Sequence, residues 1–246
     1  MNETIEILKQ HRSIRKFTEQ PVDETTVQAM LDATLQTATS RATQNASLIR
    51  VRDQAKREAL AQVSNQSYTA RSPEYFVFIV DCARSAAILA EKGLDPSTAG
   101  NMDYFREGFT DAILMTQTMT VAAETLGLGT TQLGSILNDP ERTIEILGLP
   151  KYTFPALGLI FGYPNQDPQL KPRIPKDLRV MTDTYTAPES WCEALADYDR
   201  EMNHYYDTRK LNQREDCFTE QILQKMGATP KGERLINAIR AQGFAI

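Results

Sequence analysis

Histidine and cysteine, the side chains that most often bind transition metals, are scarce in this sequence. The 246 residues include two histidines, His11 and His204, and three cysteines, Cys82, Cys192 and Cys217. The cysteines are odd in number, far apart and never arranged as C-x-x-C, so the sequence indicates neither a disulfide framework nor a zinc knuckle. Two imidazoles are also too few for a histidine-rich metal site.

Long apolar runs are missing as well. No stretch approaches the roughly 20 apolar residues that a membrane-spanning helix needs. The first ten residues, MNETIEILKQ, carry acidic side chains where a secretory signal has a basic leader and an apolar core. We therefore expect a cytoplasmic protein that has no membrane partner.

The sequence has no excess of positive charge. Its 27 Lys and Arg residues are outnumbered by 32 Asp and Glu residues, which gives a net charge of −5. The basic residues are scattered or grouped in short clusters. This distribution argues against a surface that coats nucleic acid or binds an anionic membrane.

Signatures of common nucleotide-binding and hydrolase sites are absent, too. The sequence contains no G-x-G-x-x-G that opens a helix, no G-x-x-x-x-G-K-[ST] and no G-x-S-x-G. Rossmann-type dinucleotide binding, P-loop chemistry and the α/β-hydrolase nucleophile are therefore unsupported.

The apolar residues that are present form clear helical and strand patterns. Spacings of three and four predict helices at 23–38 and 102–126, and continuous apolar runs predict buried strands at 75–80 and 154–161. No charge lies between Asp111 and Glu124, so the helix at 102–126 is expected in a core or at a subunit interface. Shorter patterns predict helices at 4–10, 54–63 and 139–147, a strand at 48–51, and a strand or turn at 130–137.

The C-terminal part of the chain differs in character from the rest. Residues 165–175 are proline-rich and extended, and residues 188–244 alternate helical pieces with polar breaks. A chain of this length can bury one large core or two small ones. We expect a single domain over 1–246, in which about 165–246 form an arm packed on the main body.

Three short basic clusters contain side chains suited to phosphate. They comprise His11, Arg12, Ser13, Arg15 and Lys16; Lys171 and Arg173; and Arg209, Lys210 and Arg214. Two guanidinium forks and a hydroxyl on one loop can hold a phosphate dianion through charge-assisted hydrogen bonds. Taken alone, each cluster is better explained as a solvated surface loop.

The order of several motifs along the chain changes that interpretation. The motifs are H-R-S-I-R-K-F at 11–17, T-S-R-A-T-Q-N at 39–45, N-Q at 65–66, A-A-E-T-L-G-L-G at 122–129, F-P-A-L-G-L-I-F-G-Y-P at 154–164 and K-P-R-I-P at 171–175. In this order they resemble the FMN-dependent NADPH nitroreductase and flavin reductase family. The resemblance covers essentially the whole chain and is to the larger, oxygen-insensitive, NADPH-preferring branch.

The resemblance implies an α+β fold. It consists of a mixed central sheet of four to five strands wrapped by helices, with a C-terminal helical arm. The family resemblance also implies an obligate homodimer that has two FMN sites at its interface.

The resemblance assigns roles to particular residues. It implies cofactor binding by His11, Arg12, Ser13, Arg15, Thr39, Ser40, Arg41, Gln66, Gln132, Leu133, Gly134, Lys171 and Arg173. Within this set, the phosphate and ribityl chain of FMN are held by His11, Arg12, Ser13 and Arg15, and the flavin region is contacted by Lys171 and Arg173. Gln66 lies near the pyrimidine edge, and residues 132–134 pack along the isoalloxazine. Arg209 and Arg214 are expected to bind the 2′-phosphate of NADPH.

The activity implied is a transfer of hydride from NADPH through FMN to nitroaromatics or quinones by a ping-pong mechanism. The flavin carries the chemistry, so no catalytic side chain is required. The partners are small planar electron acceptors. Two alternatives stay open: an NADPH:flavin reductase that supplies reduced flavin, and a flavin-binding protein without turnover.

Three positions depart from the family pattern and leave the substrate range open. They are Arg41, where a small hydroxyl residue is common, Gln132, where an aromatic is usual, and Ser135, where a glycine is common. Arg41 has two interpretations. Its guanidinium either narrows the pocket and favours anionic acceptors, or it faces solvent or pairs with an acid across the dimer.

Overall fold

The computed structural model of the chain describes residues 2–207, 216–227 and 232–245. The chain divides into two units, residues 1–167 with 232–246, and residues 168–231. The expected single domain with an arm over 165–246 stays a prediction. The last described stretch, 232–245, belongs to the first unit.

A four-stranded sheet is the centre of the first unit. Its strands are β1 Ala46–Arg50, β2 Glu74–Asp81, β3 Gly129–Leu133 and β4 Thr153–Gly162, in the spatial order β1-β2-β4-β3. All neighbouring strands are antiparallel. In the described residues, parallel pairing is limited to two isolated bridges, Ser13 with Thr130 and Asn101 with Ala245. The mixed sheet that we expected is therefore antiparallel in its strands and parallel only at these bridges.

The two central strands are buried on both faces, which explains their continuous apolar sequence. On one face, Phe76 of β2 stacks on Phe161 of β4 with ring centroids 5.6 Å apart. On the other face, Tyr75 and Val77 enter a second core cluster. An antiparallel sheet that is covered by helices on both sides loses the usual alternation of apolar and polar residues.

Helices surround this sheet. In the first unit they are α1 Glu3–Lys9, α2 Glu24–Leu35, α3 Gln54–Ser64, α4 Ala83–Glu91, α5 Met102–Thr125, α6 Pro140–Leu147 and α10 Gly232–Ala241. Most begin at a side chain that accepts a backbone N–H, for example Asp23 before α2, Asp53 before α3 and Asn101 before α5. Such N-caps satisfy amide groups that have no partner inside the helix.

The long helix α5 is the main partner of the sheet, and its prediction is confirmed. Ala112, Met115 and Met119 are buried against β2 and β4 in the first core cluster. The helix ends before Gly127, whose φ of +77° is accessible to glycine at little cost. The opposite side of α5 leaves Leu114 44% exposed.

Most predicted elements are confirmed with small shifts at their ends. Helix α2 stops at Leu35, three residues before the predicted end, and the predicted strand or turn at 130–137 is β3 followed by a 3-10 turn, Gly134–Leu137. Helix α4 was not predicted. Among its residues only Ala86 is buried.

The second unit contains α7 Trp191–Ala194, α8 Ala196–Asp207 and α9 Phe218–Met226. Its small core consists of Leu195, Tyr198, Met202 and Tyr206. Asp199 of α8 ties α9 to this core, because its carboxylate accepts the Thr219 N–H at 3.0 Å and the Thr219 hydroxyl at 2.5 Å.

None of the helices in the described ranges has the length and apolar character needed to cross a membrane. The cytoplasmic location expected from the sequence stays a prediction.

Three carbonyls near the start of β2 are held by one cation. Arg57 of α3 donates to the carbonyls of Val51 at 2.6 Å, Ser72 at 2.8 Å and Pro73 at 3.4 Å.

We predict that Arg57→Met lowers the free energy of unfolding by about 2–3 kcal/mol, because it leaves these carbonyls without their charged donor. Urea denaturation measures the change. Arg52→Met, at an exposed position two residues before α3, is the matched control and should change stability by less than about 0.5 kcal/mol. Equal losses in both variants would contradict the role given to Arg57.

Candidate functional site

Residues 11–15, which we call the basic loop, dock on the edge strand β3. The Ile14 N–H donates to the Thr130 carbonyl at 2.7 Å, and the Thr131 hydroxyl donates to the Ile14 carbonyl at 2.6 Å. Ser13 forms the parallel bridge with Thr130. The basic loop therefore extends the sheet by one short, parallel stretch.

A glycine permits this docking. A Cβ at Gly129 would lie 2.6 Å from the Ile14 side chain, closer than any real contact. Ile14 is buried, whereas its neighbour Arg15 is exposed. The single apolar residue in H-R-S-I-R thus has a structural role, because Ile14 anchors a loop whose other side chains are polar.

The guanidinium of Arg12 is only weakly engaged. Its Nη1 lies 3.4 Å from the exposed Asp167 carboxylate, and its Nη2 lies 3.3 Å from the Gln10 side-chain oxygen. The Nε atom is buried and has no hydrogen-bond partner. A buried N–H of a cation without an acceptor is costly, so this group is suited to an anionic ligand.

His11 is the one member of the basic loop that is bound to α5. Its Nδ1 lies 2.7 Å from Glu124 Oε1, and the Thr130 hydroxyl donates to the same oxygen at 2.6 Å. The Glu124 side chain is 10% exposed. The ring of His11 is therefore held between the end of α5 and the start of β3.

Gln66 is connected to the other end of β3. Its side-chain oxygen accepts the Tyr68 hydroxyl at 2.7 Å and lies 3.4 Å from the Ser135 hydroxyl, which belongs to the turn after β3. The structure thus brings Gln66 together with the turn at Gly134. Ser135, one of the three positions that depart from the family pattern, therefore contacts a predicted site residue.

The three predicted residues at 132–134 differ in exposure. The Gln132 amide donates to Gln117 at 3.0 Å and Thr120 at 3.1 Å on α5. Leu133 is buried in the second core cluster, so only its backbone can face a ligand. A Cβ at Gly134 would meet only a Leu157 methyl at 4.0 Å, so the space above this glycine is open.

Residues 39–45, which we call the polar loop, cross the first half of α5. The Ser40 N–H and hydroxyl donate to Asp111 Oδ1 at 3.0 and 3.1 Å. Arg41, Ala42 and Gln44 have φ of 49°, 57° and 52°. Non-glycine residues in this region are strained, so the contacts to α5 hold the polar loop in a costly conformation.

Arg41 pairs with an acid of its own chain. Its guanidinium donates to the buried carboxylate of Glu107, with 2.8 Å from Nε to Oε1, and lies 5.4 Å from the Tyr104 ring centroid. The hydrogen bond to Glu107 raises the pKa of Arg41. The structure thus places Arg41 in an ion pair with an acid of its own chain, and the effect of its guanidinium on the choice of acceptor stays a prediction.

The second unit carries the K-P-R motif. Arg173 donates to the carbonyls of Lys171 at 2.8 Å and Pro172 at 3.3 Å, which folds its side chain back on its own motif. The Lys171 ammonium lies 5.9 Å from the Tyr206 ring centroid. The predicted NADPH-binding residues Arg209 and Arg214 lie outside the described residues.

A cavity of about 250 Å³ lies between α4 and α5, but it contains none of the predicted site residues. It is mostly apolar, and Cys82, Leu89 and Tyr104 are among its lining residues. Burial raises the pKa of the Cys82 thiol to about 12, so this cysteine is unsuited to be a nucleophile. No cluster of His, Cys, Asp or Glu able to hold a metal is found in the part of the chain that the structure describes.

Sequence reasoning missed the acids that support the site. Glu107 and Asp111 are buried one helical turn apart beneath the polar loop, and Glu124 holds His11. Acidic residues among the apolar positions of α5 were the available signal. Their partners are distant in sequence, so spacing alone does not identify them.

Two family models match the chain. The model described as "Nitroreductase family" matches residues 8–163, and the one described as "Nitroreductase family, C-terminal domain" matches residues 171–246. The first covers more than half of the sequence and includes the basic loop, the polar loop and β3. The chain belongs to the nitroreductase family.

Individual relatives agree with this assignment. The chain is 38% identical to an oxygen-insensitive NADPH nitroreductase from Salmonella typhimurium, over 92% of each chain. It is 33% identical to an FMN reductase (NADPH) from Bacillus subtilis, over 99% of each chain. Among solved structures, nitroreductase A from Vibrio parahaemolyticus matches with a TM-score of 0.89 and 31% identity, over 100% of this chain and 99% of that one.

We predict that Gly129→Ala displaces the basic loop, because the added methyl clashes with Ile14. It should lower the free energy of unfolding by about 1–3 kcal/mol and speed hydrogen exchange of the Ile14 amide. Gly134→Ala is the control, since its methyl meets open space, and should leave both measurements near the wild-type values. Unchanged exchange at Ile14 in Gly129→Ala would show that the docking does not depend on this glycine.

Proposed function

We propose that this chain is an NADPH-dependent, FMN-containing oxidoreductase that reduces nitroaromatics or quinones. The observation that carries the proposal is the docking of the basic loop on β3, which leaves the Nε–H of Arg12 buried without an acceptor. Relatives named NADPH nitroreductase and FMN reductase (NADPH) support the same activity.

The described residues fit the phosphate and the ring of FMN. The basic loop offers the unpaired Nε of Arg12, the hydroxyl of Ser13 and the exposed guanidinium of Arg15, which together match a phosphate dianion. The open face above Gly134 accepts a flat group, and Gln66 beside it offers an amide. These residues, with His11 and backbone groups at 132–134, would hold the cofactor.

The remaining predicted residues take supporting roles in this proposal. Ser40 and Thr39 would contribute from the polar loop, which Asp111 holds in place. Lys171 and Arg173 would add positive charge toward the flavin. Arg209 and Arg214 would select NADPH through its 2′-phosphate.

When bound, FMN supplies the chemistry by accepting a hydride from NADPH and passing reducing equivalents to the acceptor in a separate half-reaction. The chain binds and orients the reactants and needs no catalytic acid, base or nucleophile. The cationic side chains of the basic loop would favour negative charge at the cofactor site. Because Arg41 is paired with the carboxylate of Glu107, its guanidinium would add little positive potential at the entrance to the cofactor site.

A second candidate is an NADPH:flavin reductase that releases reduced flavin to a partner. The relative named FMN reductase (NADPH) favours it. The two activities differ in the second substrate, which is a nitroaromatic or quinone in one case and free FMN in the other. A flavin-binding protein without turnover is a third possibility that the same experiment tests.

The test mixes the FMN-loaded protein with NADPH under anaerobic conditions. We expect the flavin absorbance to bleach within one mixing time, and a nitroaromatic or quinone to restore it with a higher kcat/KM than added FMN. A higher value for FMN would favour the flavin reductase. A protein that stays yellow with NADPH would refute turnover, and one that binds no FMN would refute the proposed function itself.

We further propose a homodimer that has FMN at its interface. The first unit exposes apolar side chains on three helices, with Ile5 and Leu8 of α1 at 44% and 40%, Leu35 of α2 at 65%, and Leu114 of α5 at 44%. Helix α1 has no buried residue at all. Apolar surface of this kind is typical of subunit interfaces.

We predict that Leu114→Glu shifts the protein from dimer to monomer, because a carboxylate would be buried without a partner at the interface. Sedimentation velocity measures the change, and Leu114→Met is the control that keeps the surface apolar. A wild-type protein that sediments as a flavin-loaded monomer would contradict the proposal.

A further inference from the structure

Glu124 occupies a position that is unfavourable for a carboxylate. It lies in the last turn of α5, where the unpaired carbonyls make the helix end negative. Its side chain is nevertheless almost buried, at 10% exposure. It belongs to the A-A-E-T-L-G-L-G motif, to which the proposed function gives no role. Such a placement needs compensating interactions.

Both compensating interactions involve the same carboxylate oxygen. Glu124 Oε1 accepts the Thr130 hydroxyl at 2.6 Å and lies 2.7 Å from His11 Nδ1. An ionised carboxylate can only accept hydrogen bonds, so the hydrogen in the second contact belongs to Nδ1. The other ring nitrogen, Nε2, is then the atom of His11 that is left for a ligand.

The basic loop has docking contacts that do not involve Glu124. Two backbone-directed hydrogen bonds, between Ile14 and Thr130 and between Thr131 and Ile14, already hold the loop on β3, and the Ile14 side chain is buried. What Glu124 adds is the orientation of one ring. His11 is next to Arg12, whose buried Nε has no acceptor.

We propose that Glu124 is a positioning residue that fixes the His11 ring with Nδ1–H donated to α5. In the imidazolium form of the ring, Nε2–H then donates to the cofactor phosphate together with Arg12 and Ser13. The phosphate half of this inference rests on the proposed function. The orientation half concerns the chain alone. Glu124 acts through His11 and does not itself contact the cofactor.

Ring orientation is tested first, by ¹⁵N NMR of the imidazoles in the full-length protein. The chain has only two histidines, and His204→Gln assigns the spectrum. We expect His11 to carry its hydrogen on Nδ1 when neutral. Glu124→Gln keeps an acceptor oxygen and should keep this tautomer, whereas Glu124→Met removes the acceptor and should lose it. A persistent Nδ1–H form in Glu124→Met would overturn the proposal.

The role in phosphate binding is tested by comparing FMN with riboflavin, which lacks the phosphate. Fluorescence titration of the flavin-free, full-length protein gives both affinities. We expect Glu124→Met to weaken FMN about tenfold and riboflavin less than about twofold, because only FMN loses a charged hydrogen bond. Glu145→Met, which removes an exposed glutamate from α6, is the control and should leave the ratio of affinities unchanged.

A purely structural role for Glu124 would weaken both flavins equally, and that result would overturn the proposal. His11→Phe keeps the inference testable if Glu124→Met folds poorly, since it should reproduce the selective loss of FMN affinity. Equal losses of FMN and riboflavin in His11→Phe would likewise refute it. A wild-type protein that binds neither flavin would refute the proposed function and the phosphate half together, while the NMR result still decides the orientation of the ring.

Discussion

The backbone pairing of Ile14 with Thr130 is the contact on which the candidate site depends. β3 lies at one edge of the sheet, and a free edge exposes unpaired N–H and C=O groups. The basic loop satisfies part of that edge, and the burial of Ile14 against Gly129 holds it there. One contact therefore covers a sheet edge and fixes the backbone from which Arg12 and Ser13 extend.

Helix α5 joins this edge to the polar loop. Its apolar face packs on the sheet, while three acids along its length each bind a loop residue: Glu107 binds Arg41, Asp111 binds Ser40, and Glu124 binds His11. Burying a carboxylate is costly unless donors compensate it, so each acid strongly constrains its partner. Because all three lie on one helix, the rigid backbone of α5 sets the spacing between the two loops.

The fold was largely predictable because most elements carry local signals. Continuous apolar runs indicated β2 and β4, and regular spacing indicated α2 and α5. The short helix α4, in which only Ala86 is buried, was not predicted. The motif order predicted the basic loop and Gln66 as site residues, and the contact between Gln66 and Ser135 places Gln66 beside the turn after β3. The pairs of Arg41 with Glu107 and His11 with Glu124 were not predictable, since they join residues 66 and 113 positions apart. Tertiary packing alone brings such residues together.

The return of residues 232–245 to the first unit has a consequence for how the chain folds. Phe244 packs edge-on against Phe105 at the start of α5, with ring centroids 4.8 Å apart, and Ala238 and Ile239 of α10 join the same cluster. During translation these side chains emerge only after the whole second unit has been made. The apolar surface around Phe105 therefore lacks these partners until the second unit has been made, and apolar surface left open in an incompletely folded chain favours aggregation.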